Sequence, residues 1–268
     1  MGDHTLRVAF FASPGKAHHS RWGAAFLKGL SKHGIYASLQ HVNDDIECDV
    51  AVMWSHKHQA IIERQKTRGG DYLVMEAGYF GDRLGFASIG WNGLNGRADF
   101  KNQDMPGDRW EKHGVDIKPW HNGEYILVAG QVQGDAAVSG VNLKARYNEI
   151  VNELKTITTR PIRFRPHPYG SPIPGGVEVS HSSLDADLAG AKCLVALNSN
   201  TTVDAAISGT PVVALDEGSM AWPVSAHELE GVLIPRRPDR QQWLNNLAYC
   251  QWTEKEIRAG EAWEHLRT

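Results

Sequence analysis

The stretch VALNSNTTVDAAISGTPVVALD, Val195–Asp216, sets five polar residues, Asn198 to Thr202, between an apolar run and a run of small residues. A strand-to-helix junction needs one cap. Thr201 and Asp204, three apart, fit a capping box. Asn198, Ser199 and Thr202 are left without a structural task. A helix start offers unpaired N–H groups and partial positive charge, so the pattern predicts that a phosphate binds there. RFRPHP makes a second cluster. Arg163 and Arg165 lie two apart and share one face of a strand. Pro166 and Pro168 hold Arg165 and His167 extended. A cation and an imidazole fixed at a strand end suit a diphosphate leaving group; the plainer alternative is a solvated strand edge. AGQVQGDAAVSG, with Gln131 and Asp135, also follows a strand, but it matches neither GxGxxG nor a Walker loop. Pro14–Lys16 fails the Walker pattern as well.

Other clusters are weaker. Asp185 and Asp187 form a DxD pair of the kind some transferases use for a metal. Here they follow Ser182–Ser183 and open a helix, where acids stabilise the dipole. No metal is therefore expected. His18–His19 and His56–Lys57–His58 lack a cysteine or carboxylate at ligand spacing. Glu76, Asp82 and Asp99 are the carboxylates best placed to act as a base. Gly90, Gly93 and Gly96 would admit a ligand close to the backbone. Trp91, Asn92, Asn95 and Arg97 offer stacking and hydrogen bonds, although a packed Ω-loop accounts for the same residues.

These residues need strands and helices to position them. Short apolar runs alternate with amphipathic runs, the signature of parallel strands joined by helices. Strands are expected at LRVAFFAS, IYASLQHV, DVAVMWS and DYLVMEAG, then EYILVAGQ, PIRFRPHP, CLVALN, PVVALD and GVLIP. Helices are expected at about 21–33, 57–69, 142–157, 184–191 and 201–209, with two more at 240–250 and 254–266. From Tyr79 to Gly123 neither period holds, which predicts a long irregular segment. The expected fold class is α/β, two Rossmann-like domains facing across a cleft (GT-B type). Residues 1–120 form the first domain and 121–250 the second, with a helix at 251–268 packing back on the first. Ligands of such folds lie beyond the C-terminal ends of the strands, where most of the polar clusters fall.

Composition sets outer bounds. The 268 residues are 41% hydrophobic and 22% charged, with a net charge of −3, so no global basic field draws in nucleic acid. The three cysteines form no CxxC pair, and a reducing cytosol is the expected setting. The opening MGDHT is a short polar lead, and no apolar run approaches membrane-spanning length.

A strand ending in GQ with an Asp four residues on, an R-P-H-P strand end, and N-S-N-T-x-x-D-A-x-x-x-G-x-P-V-x-A together resemble the C-terminal half of GT-B glycosyltransferases. The likeness is greatest to the capsule-polysaccharide Kdo transferases and covers about residues 124–216. It implies that Gln131, Asp135, Arg165, His167, Asn198, Ser199, Thr201, Thr202 and Asp204 hold a nucleotide-sugar donor. Asp204 stands where that family often has Glu. GYFGDR, GWNGLNGRADF and GSMAW are also similar to compact bacteriophage glycosyltransferases, some of which modify hydroxylated pyrimidines in DNA.

The resemblance implies a metal-independent, inverting transfer to an acceptor hydroxyl, with no cofactor and a UDP-sugar favoured over a CMP-sugar. Glu76 is the first expectation for the base, then Asp99 and Asp82, with His18 behind them. Ser13, Lys16, His18, Trp91, Asn92, Asn95 and Arg97 make up the acceptor side. If the acceptor is phage DNA carrying modified pyrimidines, Arg64, Lys66 and Arg68, or Arg236, Arg237 and Arg240, would meet its phosphates. Trp22, Trp54, Trp91 and Trp110 would be available for stacking. The expected protein is a cytoplasmic monomer or homodimer, in a bacterial host if phage-encoded, with no membrane span. Alternatives are a capsule-type glycan transferase, a nucleotide-sugar epimerase, which needs no second substrate, and a non-catalytic nucleotide-sugar-binding module.

Overall fold

The computed structural model describes residues 6–268; the polar lead Met1–Thr5 lies outside them. The strands are β1 Arg7–Ala12, β2 Tyr36–His41, β3 Val50–Trp54, β4 Asp71–Ala77, β5 Phe86–Trp91, β6 Tyr125–Ala129, β7 Ile162–Arg165, β8 Glu178–Val179, β9 Ala191–Ala196, β10 Val212–Ala214 and β11 Gln251–Thr253. The α-helices are α1 Ala17–Lys32, α2 Gln59–Arg68, α3 Asp108–His113, α4 Leu143–Ile157, α5 Leu184–Gly190, α6 Thr201–Ser208, α7 Gln241–Ala248, α8 Glu254–Ala259 and α9 Glu261–Leu266. Contacts divide the chain into two units. The first holds the residues up to Arg109 together with Asn245–Thr268, and the second holds Trp110–Leu244.

The first unit is a six-stranded sheet in the order β11-β5-β4-β3-β1-β2. β2, β1, β3 and β4 are parallel, while β5 and β11 run antiparallel. Apolar runs such as Val50–Met53 are buried on both faces, as strands sandwiched between helices require. α1 lies so close to α8 that a Cβ on Gly29 would come within 2.1 Å of the Ile257 carbonyl oxygen. Only glycine permits that approach.

The second unit is an all-parallel five-stranded sheet in the order β10-β9-β6-β7-β8. Its C-terminal strand ends therefore share one edge. Ile126, Val128, Phe164, Cys193, Val195 and Val213 form its core with Leu143, Tyr147, Ile150 and Leu154 of α4. Asn142 starts α4 by accepting the Ala145 N–H at 3.1 Å, so propensity, cap and apolar face agree there.

Three expectations are corrected. The segment Tyr79–Gly123 is not wholly irregular, because it contains β5; the surrounding Gly, Asn and Asp residues hide this six-residue strand. GVLIP is not a strand. Leu229 and Val232, three apart, face the core from a 3₁₀ turn, whereas Ile234 is 88% exposed. The tail is not purely helical. Gln251–Thr253 pairs with β5, and Gly260 (φ +92°) breaks the expected 254–266 helix into α8 and α9.

Candidate functional site

At the C-terminal edge of the second sheet, Gln131, Asn198 and Asp216 each lie two residues beyond the ends of β6, β9 and β10. Gln131 donates its Nε2–H to Asn198 Oδ1 (2.8 Å) and accepts the Asn198 N–H (3.3 Å). Asn198 Nδ2 donates to Asp216 Oδ1 (2.9 Å) and to the Ala137 carbonyl (2.7 Å). The Gln131 amide donates to the Tyr147 hydroxyl at 2.6 Å, whose burial pushes its pKa up to about 12. Gln131 and Asn198 are 6% and 5% exposed. These two residues were expected to meet the donor directly. They instead tie three strand ends into one frame, and satisfied buried amides are what a rigid frame requires.

α6 begins on that frame. Thr202 is fully buried; its hydroxyl donates to the Ser199 carbonyl (2.8 Å) and lies 2.9 Å from Ser219 Oγ. It too has a structural task. The expected capping box does not form. Thr201 is the first helical residue, and the preceding Asn200 has helical φ and ψ with no side-chain cap bond. The Thr202 and Val203 amides bond to the Ser199 and Asn200 carbonyls at 3.0 and 2.8 Å. The Ser199 and Thr201 hydroxyls, 2.6 Å apart, remain partly exposed at this start. Asp204 is half-buried in the first turn, and Asp135 is exposed before a 3₁₀ turn at 136–138.

Arg163 and Arg165 share a face of β7, and both turn to one acid. Arg165 donates to Asp187 Oδ2 and to the Ser182 carbonyl, each at 2.7 Å. Arg163 lies 3.7 Å from Asp187 Oδ1 and 2.8 Å from Glu178, with its guanidinium 4.1 Å from the Tyr125 ring centre. Ser180 Oγ completes the set, donating to Asp187 at 2.5 Å. Arg165 is therefore the partner of a fully buried carboxylate, not a cation awaiting phosphate. In the DxD pair, Asp185 is exposed and Asp187 is locked inside. Among the described residues, no group of three or more His, Cys, Asp or Glu is placed to hold a metal.

His167, half-buried beyond β7, is held by its own loop. Its amide donates to Ser171 Oγ at 2.8 Å, and its Nδ1 accepts the Tyr169 N–H at 3.1 Å. That acceptance leaves the neutral ring's proton on Nε2.

The first unit divides its expected residues between two edges. Glu76 follows the rung that pairs Trp54 with Met75, so it stands at the C-terminal edge with Ser13, Lys16 and His18. Asp82 lies exposed in the β4–β5 turn. The antiparallel β5 then carries the chain to the opposite edge. Trp91 pairs with Leu73, early in β4, and bridges Asp99. Trp91 Nε1 donates to the Leu266 carbonyl at 2.9 Å, and Asn92 holds Asp71 and Tyr72 at 2.8 and 2.9 Å. Both fasten the fold. Asn95 accepts the Tyr79 hydroxyl at 3.2 Å, and Arg97 is exposed in a 3₁₀ turn. Burial pushes the Asp99 carboxyl up, but hydrogen bonds and charge from Lys101 prevail and hold it below its ordinary range. That makes Asp99 a poorer proton acceptor.

The C-terminal edge of this sheet also brings His19 and His58, to which the sequence assigned no role, against Ser13. Ser13 donates its amide to His19 Nδ1, and its hydroxyl lies 3.3 Å from His58 Nε2. The His19 ring stacks on Trp54 at 5.9 Å and meets His18 edge-on at 4.4 Å. His19, Trp22 and Phe26 follow 3-4 helical spacing, a legible sign that His19 faces inward. Burial first, then the charges of His18, His58 and Lys16, lower the His19 pKa from the ordinary 6.5 to about 4. The unfolded chain therefore binds a proton that the native protein refuses until about pH 4. Stability is fully present above pH 6.5 and falls as the pH drops towards 4, by at most about 1.4 kcal/mol per pH unit from this group. Urea midpoints at neutral and mildly acidic pH should show the loss, and His19→Gln should reduce it. An unchanged loss in the variant would refute the assignment.

The basic clusters are engaged internally. Arg64 and Arg68 bond to Asp45 at 2.8 and 3.3 Å, and Lys66 to Glu63 at 3.1 Å. Arg236 bonds to the Ser225 carbonyl (3.0 Å) and Arg237 to the His121 carbonyl (3.1 Å). Arg240 is buried 3.9 Å over Trp120. Trp22 and Trp110 are core residues.

No protein-family model matches the chain, and no curated protein sequence does. Solved structures do match. A beta Kdo 2,4 transferase, KpsC of Thermosulfurimonas dismutans, is similar over 92% of this chain and 90% of its own, with a TM-score of 0.61 and 12% identity. The beta Kdo 2,7 transferase KpsC of the same organism is similar over 97% and 100%, with a TM-score of 0.56 and 14% identity. The fold is α/β, two-domain and Rossmann-like, of the GT-B type. At this identity the likeness speaks for the fold. No helix among the described residues is long and apolar enough to cross a membrane.

Proposed function

We propose that the protein is a glycosyltransferase that moves a sugar from a nucleotide-sugar donor, a UDP-sugar ahead of a CMP-sugar, to an acceptor hydroxyl. One observation carries the reading. The start of α6, with the partly exposed Ser199 and Thr201 hydroxyls, rests on the buried Gln131–Asn198–Asp216 frame at the C-terminal edge of an all-parallel sheet. Folds of this kind bind ligands at that edge. The same edge carries the Nε2–H of His167, and phosphate charge suits both the helix start and that donor. The reading invokes no metal ion or cofactor. Asp204 and Asp135 remain donor-side proposals, and Arg165 acts only by holding β7 against Asp187. The acceptor is a hydroxyl on a glycan or a hydroxymethylated pyrimidine in DNA. Asp45 and Glu63 offset most of the charge of Arg64, Lys66 and Arg68, so that cluster offers a duplex little net positive charge.

A thermal-shift panel of UDP-, CMP- and GDP-sugars tests this, since a ligand bound only by the native state adds about 2.7 kcal/mol of stability at a hundredfold excess over Kd. His167→Ala and Ser199→Ala should each weaken the bound nucleotide sugar about tenfold, because a hydrogen bond to a charged group contributes about 1.5–3 kcal/mol. Both variants should melt as the wild type does without ligand. If no nucleotide or nucleotide sugar shifts the melting temperature, the proposal is wrong.

A further inference from the structure

The second unit gathers cations at the end of its sheet opposite the donor edge. β6 starts at Tyr125, β7 at Ile162 and β9 at Ala191, and the three are parallel. Their N-terminal ends therefore share one edge. Arg160 stands just before β7, and Lys192 is the second residue of β9. Arg160 donates to the Gly123 and Glu124 carbonyls, both at 3.1 Å, beside the start of β6. Arg237 donates to the His121 carbonyl at 3.1 Å and to Asn122 Oδ1. Lys192 Nζ donates to the Leu233 carbonyl at 3.1 Å. These partners are neutral oxygens, which orient a cation without cancelling its charge. Glu124, Glu230 and Asp239 are exposed nearby in the chain, yet among the described residues none pairs with Arg160, Lys192 or Arg237. Burial first, then the charges of Arg160 and Arg237, with Cys193 opposing, lower the Lys192 pKa, as a local excess of positive charge does. Beside these cations the chain turns out an apolar tip. The 3₁₀ turn at Leu229–Val232 buries Leu229 and Val232, but the next two residues face water, Leu233 at 49% and Ile234 at 88% exposure. Among the described residues, no other two large apolar side chains adjacent in sequence are both exposed. Single exposed apolar residues are ordinary; an adjacent pair beside unpaired cations marks an interaction surface.

We propose that this edge docks on the surface of an anionic lipid bilayer. Leu233 and Ile234 enter the boundary between headgroups and acyl chains, while Arg160, Lys192 and Arg237 meet lipid phosphates. Guanidinium forks suit phosphate oxygens, and the lysine adds a point charge. The apolar tip decides for lipid over nucleic acid, because a phosphodiester strand would cover the cations and leave Ile234 in water. Neither part suffices alone: two apolar side chains insert weakly, and three charges are screened by salt. Together they give reversible, peripheral attachment. Every residue involved belongs to the second unit, and the proposal does not depend on the transferase reading. The start of α6 lies at the other end of the same strands, so lipid at the N-terminal edge leaves it open to a ligand.

The test is flotation of the full chain with vesicles of phosphatidylcholine, alone or with phosphatidylglycerol added. The wild type should float with the anionic vesicles only, and added salt should release it. Ile234→Ser should lower the partition about tenfold, the loss expected when one large apolar side chain no longer inserts. Arg160→Gln, Lys192→Gln and Arg237→Gln should each lower it about fivefold, the share of one basic residue near an anionic surface. Arg237→Lys should keep it. Arg160 and Arg237 also hold backbone carbonyls, so each variant is melted first; if either unfolds, Lys192→Gln and Leu233→Ser carry the test. Folded Ile234→Ser and Lys192→Gln variants that float as the wild type does overturn the proposal. So does a wild type that floats equally with both vesicles or with neither. Single-stranded and duplex oligonucleotides are offered in parallel. Binding to them that Lys192→Gln loses and Ile234→Ser keeps, without flotation on vesicles, would make this a nucleic-acid surface and overturn the lipid assignment.

Discussion

Asp187→Ala is expected to lower the unfolding free energy by about 3–5 kcal/mol, the usual result of removing one partner from a buried ion pair. Asp187 is fully buried, and its carboxylate meets Arg165 and Ser180 at 2.7 and 2.5 Å, with Arg163 at 3.7 Å. Without it, Arg165 keeps the Ser182 carbonyl and Arg163 keeps Glu178, while both lose their shared buried counter-charge. The urea midpoint should fall with the slope unchanged. Replacing Arg165 and Asp187 together by apolar residues of similar volume should recover much of the loss, because no buried charge is then stranded. A single variant within 1 kcal/mol of the wild type would show that water reaches the acid after all, an outcome of about the size of an exposed pair.

Asn198→Ala is expected to weaken both folding and donor binding. It strands the Gln131 Nε2–H, while the backbone N–H of residue 198 still reaches Gln131 Oε1, and it removes a donor each from Ala137 and Asp216. Each buried group left unpaired costs about 1–3 kcal/mol, so the total should exceed about 2 kcal/mol. Donor affinity should fall with it, because the chain enters α6 directly from Asn198. Ser199→Ala, in contrast, should reduce affinity alone. The pair separates frame from contact. If Asn198→Ala melted normally and lost only affinity, Asn198 would be a direct ligand contact and the frame interpretation would fail.

Much of the fold was readable because its signal is local. Parallel strands buried on both faces are continuous apolar runs, and the helices between them keep a 3.6-residue period. β5 and β11 were not readable. FASIGW sits among glycines, and QWT is a three-residue strand. Their pairing depends on a partner far away in sequence, which no window can see. The gathering of polar residues at strand ends was legible, and their partners were not. Polar residues do gather at strand ends, but composition cannot tell a contact from a support. Asn198, Thr202, Gln131 and Arg165 all satisfy one another or a buried acid, and only coordinates show where their partners lie.

The pairing of β11 with β5 also sets a timetable. Ser88 must wait for Gln251 before the first sheet gains its last strand. Every residue of the second unit intervenes, whereas that unit is continuous in sequence. During synthesis, Trp110–Leu244 can condense on its own while β5 still presents an open edge to other chains. Closing so long a span is entropically slow, and an open strand edge is a template for association. The interval before residues 251–253 emerge is therefore when a nascent chain is most exposed to aggregation and most dependent on chaperones.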